Sequence, residues 1–511
     1  MKKKNLIFIF LLTLSFSCFA QLENPFEKLT KKQMYHDFDQ LIQIIQDGNP
    51  QLLVRQKVTG LDQMEKMWQM RSQIDTITDN DSFNDLLNHT LDWVMDGHSS
   101  ETFDFYPEFE NLKSIDTAAI LKRKDYYRSS SYRDKQMRRF PTFWDGAFFY
   151  NEHYYIRGNH QLFGRKKVTL NITLMKIISI NDEEISSYVK NHLLQKCYYD
   201  LKNRSFYYGD KWGIHIPDKA KIKAEQNGKE MEFYFNQYPG QMIVQSVPID
   251  LEGVPNKEPL NLRPKYNVSY FPEDRILFIS LTTMTDDNDQ FYAKIKEVGK
   301  SNVIDKVIID VRDNPGGSDY VWMKVISAIV KDTIHYSTKL AFCDSKMMRK
   351  KNKYMKKMLT NEKIPFLDNK TYAILNSEML IIPDTNSIQF DKKIYVLSNR
   401  NTFSAAFSLV RFANQVEQVV SVGSPTGQMV GFGLMPELFQ LKNSKFTFRL
   451  ACVMDVYNAT KPEDIYQDHT EIEITPTFEE EVLYPRSIND MKCKTYLYKY
   501  DTGFKKILEL K

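Results

Sequence analysis

Cysteine is scarce in this sequence: five residues in 511, none forming a Cys-x-x-Cys pair, which argues against a structural zinc site. Cys197, Cys343, Cys452 and Cys493 read as isolated buried thiols. No His-Glu-x-x-His, Gly-x-Ser-x-Gly or Walker segment occurs, so those three chemistries have no motif here. No metal and no cofactor are expected. Neither sign of charge dominates, with 69 Lys and Arg against 65 Asp and Glu, and this balance gives no basis for nucleic acid or an anionic membrane as partner. Beyond the first twenty residues no apolar run approaches the roughly 20 residues that span a bilayer. Internal repeats and low-complexity tracts are absent too.

What is present begins at the N-terminus. Met1-Lys2-Lys3-Lys4 precedes an apolar stretch from Leu6 to Phe16 and then Cys18-Phe19-Ala20. A positive start, a short apolar run and small residues at −3 and −1 predict a secretory signal peptide (1–20) cleaved after Ala20. Its loss would lower the formal charge from +4 to +1, since it removes three lysines and no acid. The protein is thus expected to be exported, to a periplasm or the extracellular space. Lipoprotein attachment at Cys18 is the alternative, although Ser15-Phe16-Ser17 lacks the usual aliphatic and small residues.

Three regions follow. Residues 21–164 read as mainly helical: Tyr35, Phe38, Leu41, Ile42 and Ile45 form one apolar helix face, as do Leu86, Leu87, Leu91 and Val94. Gly97 is expected to end the second helix, leaving His98 on a loop or strand. Residues 165–262 read as a β-rich module, with a hairpin at Asn227-Gly228 and a helix from Glu183 to Leu194. Pro248 to Pro264 is a turn-rich linker. From 263 to 511 strands and helices alternate. Val307-Ile-Ile and Ile394-Tyr-Val-Leu lack polar alternation, as strands covered on both faces do. The fold class is α/β, with βαβ units and a mostly parallel sheet.

Two constellations in the last region carry chemistry. Ser404, in Asn-Thr-Phe-Ser-Ala-Ala, opens a helix after a buried strand. Such a serine is ordinarily a cap, yet a helix start also favours developing negative charge. Asp310-Val-Arg-Asp-Asn-Pro-Gly316-Gly317 ends another buried strand. It could be only a tight turn, or Gly316 or Gly317 could present a backbone N–H to a substrate carbonyl with no Cβ in the way.

Together, in this order and spacing, the two motifs resemble the C-terminal-processing, tail-specific and tricorn-type serine peptidases of family S41. Val422-Gly-Ser-Pro-Thr426-Gly427 is similar to a loop of that family, and the resemblance covers about residues 265–480. It implies a ClpP/crotonase-like catalytic domain acting on a peptide or protein substrate, with Ser404 as nucleophile. Thr426 and Gly427 would line the substrate groove. The oxyanion hole would combine the N–H of Ala405 with that of Gly316 or Gly317. One branch of the family uses a lysine about 25 residues after the serine, but no lysine lies between Lys393 and Lys442. The tricorn-like branch uses a histidine from an upstream Asp-Gly-His, which here is Asp96-Gly97-His98. His98 is therefore the expected general base. Ser99 or Ser100 would orient it, and Glu463, beside Asp464, would complete a tetrad.

Departures from the pattern are visible. Gly97 stands where tricorn has a serine before its histidine, and Gln428 replaces a second glycine after Thr426-Gly427. Ile177 to Val189 resembles the late strand, turn and helix of a PDZ domain, without a Gly-Leu-Gly-Phe-type loop. A catalytically silent peptide- or ligand-binding protein on the same fold is the competing expectation.

Overall fold

In the computed structural model the described residues are 24, 26–104, 115–127, 147–157, 161–163, 168–172, 174–208, 216, 219–235, 245–249, 265–285, 288–351, 358–426, 436–466, 470–483 and 494–510. The expected leader, residues 250–264 of the expected linker and Gly427 lie outside them, whereas Pro248, expected in that linker, lies in strand Gln245–Ile249. Among the described residues no helix is long and apolar enough to cross a membrane.

The unbroken apolar strands of the last region form one sheet. Its order is Tyr266–Phe271, Ile276–Leu281, Lys306–Asp310, Ile394–Ser398, Val419–Gly423 and Ile472–Glu473. The first pair is antiparallel and the remaining four pairings are parallel. Alternate residues serve opposite faces. Leu277, Ile279, Val307, Ile309, Ile394 and Val396 pack under helices Asp289–Lys300, Asp319–Ile329 and Ala405–Ala413. Ile276, Phe278, Ile308, Tyr395 and Leu397 meet Leu497, Phe504 and Ile507 from the C-terminal helices Lys494–Lys499 and Thr502–Glu509. Each such side chain, fully withdrawn from water, contributes about 1.5–3 kcal/mol. Because Lys306–Asp310 and Ile394–Ser398 are neighbours, the loops leaving their carboxyl ends lie side by side.

The helical N-terminal region rests on strands from far later in the chain. Helix Lys31–Gly48 starts with a capping box between Thr30 and Gln33. It buries Phe38, Leu41, Ile42 and Ile45 in a core shared with Phe439, Phe446, Phe448 and Leu450. Helix Asn80–Asp92 stops before Gly97, earlier than the glycine alone suggests. Trp93, Val94 and Met95 each donate to the carbonyl three or fewer residues back in a tightening turn, and Met95 and Gly97 both adopt positive φ. The next strand, Ser100–Glu101, pairs antiparallel with Thr447–Leu450 in a separate three-stranded sheet, which ties the 96–99 loop to the last region of the chain.

The β-rich module has a sheet ordered Lys229–Tyr234, Lys221–Gln226, Leu174–Ile180, His153–Arg157 and Ala147–Tyr150. It therefore begins before residue 165, because Tyr154 and Ile156 share its core with Ile177, Ile180, Ile222 and Ala224. Asn227 and Gly228 both take positive φ at the hairpin turn.

Candidate active site

Ser404 sits at the N-cap position of helix Ala405–Ala413, yet its side chain makes no capping bond. Its Oγ lies instead 3.1 Å from His98 Nε2. The backbone there has φ 54° and ψ −124°, a region glycine occupies freely and other residues enter at a cost of about 1–3 kcal/mol. The neighbouring loop holds it in place. Phe403 N–H donates to the Asn314 carbonyl at 2.9 Å, Thr402 Oγ1 to the Val311 carbonyl at 3.0 Å, and Asn399 and Asn401 both donate to Asp313 Oδ1.

Gly316 is packed against this serine, and Gly317 against Met284. A Cβ on Gly316 would stand 2.5 Å from Ser404 Cβ and 2.9 Å from Ala405 N, so no larger residue fits. On Gly317, at φ 142°, a Cβ would stand 2.1 Å from the Met284 carbonyl oxygen. The two glycines differ in what their N–H groups do. That of Gly316 donates to the buried Asn314 Oδ1 at 2.8 Å, and Asn314 Nδ2 in turn donates to the Leu281 carbonyl at 3.1 Å. The Gly317 N–H makes no hydrogen bond among the described residues. Ala405 N–H, in the first turn of its helix, has no intrahelical acceptor. Behind the loop, the Arg312 fork donates to Asp310 at 2.7 and 3.1 Å and pairs with Asp501 at 2.7 Å. Both carboxylates are fully buried.

His98 enters from the opposite side. Its ring stacks on Phe403 with centroids 4.3 Å apart. Its loop is shaped by Asp96, which is 3% exposed. Asp96 Oδ1 accepts from the N–H groups of His98 (2.9 Å) and Ser99 (2.7 Å). Asp96 Oδ2 accepts from Ser99 Oγ (2.7 Å) and Asn49 Nδ2 (3.2 Å). Burial pushes the imidazole pKa below its ordinary value, and the Asp96 charge and its bond to the His98 backbone oppose that shift. His98 Nδ1 is buried and has no hydrogen-bond partner among the described residues.

The sequence thus pointed to Ser404, His98, Gly316, Gly317 and Ala405, and the fold brings Ser404, His98, Gly316 and Ala405 together, with Gly317 next in the chain. The remaining expected residues lie differently. Ser99 Oγ is engaged by Asp96 and by the Ala451 N–H at 3.0 Å, not by the imidazole. Ser100 is exposed, in the strand opposite Arg449. Glu463 lies half-buried in the short helix Pro462–Tyr466. No bond joins Glu463 to the imidazole among the described residues. Thr426 is entirely buried rather than facing an open groove. Asp96, Phe403 and Asn314 went unassigned by motif reading. For Asp96 the available signal was an aspartate two residues before His98, the spacing at which its side chain caps the backbone of a turn.

Residues 275–478, which carry the glycine pair and Ser404, match the model of a serine-type peptidase family. That family is peptidase family S41, and this stretch of the chain is similar to it. His98 falls outside the matched stretch. No curated protein matches the sequence. Among solved structures, mature CPAF is similar at 12% identity, over 94% of this chain and 96% of that one, with a TM-score of 0.51. Mature CPAF complexed with lactacystin gives 12% identity, 94% and 98% coverage and a TM-score of 0.50. The photosystem II D1 C-terminal processing protease gives 11%, 93% and 99%, with a TM-score of 0.36. At these identities the likeness to CPAF is one of fold.

Proposed function

We propose that the protein hydrolyses peptide bonds through a Ser404 acyl-enzyme, with His98 as general base, in the manner of the tricorn-like branch. The observation that carries this reading is the 3.1 Å approach of His98 Nε2 to Ser404 Oγ while that hydroxyl forgoes the cap it would otherwise make. Nε2 accepts the hydroxyl proton as Oγ attacks the carbonyl carbon, and returns it to the departing amine. Water then enters, gives its proton to Nε2 and attacks the ester, releasing the acid and restoring Ser404. The developing oxyanion is held by the N–H groups of Ala405 and Gly317, since that of Gly316 is already committed to Asn314. Peptides or proteins are the substrate class. The leader-like residues 1–20 support export to a periplasm or beyond the cell.

The test is covalent labelling by a fluorophosphonate. Wild type is expected to label at one site, and Ser404→Ala and His98→Ala are expected to abolish it. Labelling that survives both substitutions sinks the reading and leaves the silent binding protein.

A further inference from the structure

We infer that Asp96 is the positioning residue of His98: it fixes the imidazole through the backbone of its loop and supplies the negative charge that balances the imidazolium formed during acylation. This rests on the Ser404–His98 reading and extends it. In a serine–histidine site the base is held by a group on the far ring nitrogen. Here that nitrogen, Nδ1, is buried and has no partner among the described residues. The ring is held from its backbone and by the Phe403 ring stacked on it.

Asp96 has the geometry to hold that backbone. Its two oxygens take four hydrogen bonds, and two of the donors are the backbone N–H groups of His98 and the following residue. The loop is thereby closed around one carboxylate, as an aspartate closes a turn on its own backbone. Two anchors tie that carboxylate to the protein. Asn49 donates both to Asp96 and, at 3.1 Å, to the Ala451 carbonyl. Ser99 Oγ bridges Asp96 to the Ala451 N–H. The Asp96 turn is thus fastened to the chain that follows strand Thr447–Leu450 from both sides of one residue.

Few other charges act here. Asp96 acts on His98 from its own loop. From the packed elements, the Arg55 guanidinium on helix Leu52–Thr59 and the Cys452 thiol face Asp96, and Ser404 faces the ring across the cleft. A carboxylate that only braced the loop would be replaceable by a neutral acceptor. One that also balances the imidazolium would not be.

The experiment measures the fluorophosphonate labelling rate of the full chain against pH, for wild type, Asp96→Asn and Ser404→Ala. Loss of the charge makes His98 easier to deprotonate and the imidazolium harder to form. Asp96→Asn is therefore expected to lower the plateau rate about tenfold or more and to move the acid limb down by about one pH unit, one unit being a factor of ten. A lowered plateau with an unmoved limb means that Asp96 only braces the fold, and overturns the inference. So does a variant indistinguishable from wild type. Should Asp96→Asn fail to fold, Asp96→Ser keeps a short acceptor for the turn without the charge, and the same two outcomes decide. If Ser404→Ala labels like wild type, the Ser404–His98 reading fails and this inference with it. If Ser404→Ala is silent and Asp96→Asn is unchanged, only the role of Asp96 is lost.

Discussion

The two halves of the cleft are built differently. Ser404 and the glycine pair follow adjacent parallel strands, and backbone and side-chain hydrogen bonds between residues 311–314 and 399–403 lock them together. His98 comes from a region three hundred residues earlier and is held by a buried carboxylate, a stacked ring and one borrowed strand. The Ser404 side adds close packing around Gly316 to its hydrogen bonds, so it has almost no tolerance for added atoms. The His98 side is fixed mainly by polar contacts, so it responds in proportion to what is removed.

The sharpest break of that contrast is Gly316→Ala. The new methyl collides with Ser404 and with the backbone on either side of it, and the fluorophosphonate labelling rate should fall by at least about 100-fold, as when an oxyanion donor is lost. Next comes Arg312→Met, which leaves Asp310 and Asp501 buried without their counter-charge. A loss of about 3–5 kcal/mol in urea unfolding is expected, and an unchanged midpoint would show that the pair is inessential. On the His98 side the effects are graded. His98 must be neutral to accept a proton, and burial favours the neutral ring. The acid limb of the wild-type labelling rate should accordingly lie below about pH 6.5, the ordinary histidine value; a limb above it contradicts the buried setting. Smallest is Ser99→Ala, which removes the bridge from Asp96 to Ala451 but keeps the charge. It should cost about 1 kcal/mol in thermal unfolding with no shift of the limb.

The same contrast explains what the sequence made legible. Strands such as Ile276–Leu281 and Ile394–Ser398 read directly, because burial on both faces writes an unbroken apolar run. Asn227-Gly228 read as a hairpin because its positive φ values demand those residues. Ser404 and the glycines read through a motif whose spacing follows from adjacent strands. The pairing of Ser100–Glu101 with Thr447–Leu450 left no local trace, since nothing in a two-residue strand names a partner so distant. For the same reason motif matching could name His98 but not what holds it. Nor could it tell which glycine N–H stays open, a matter decided by the rotamer of Asn314.

The backbone of Ser404 bears on any attempt to harden this protein against heat. At φ 54° and ψ −124° the position suits glycine. Relief of about 1–3 kcal/mol of strain outweighs the roughly 0.5–1 kcal/mol entropic penalty of glycine. Selection for thermal endurance alone would therefore drift toward glycine at 404 and discard the proposed nucleophile, so a useful screen must ask for labelling and melting temperature together.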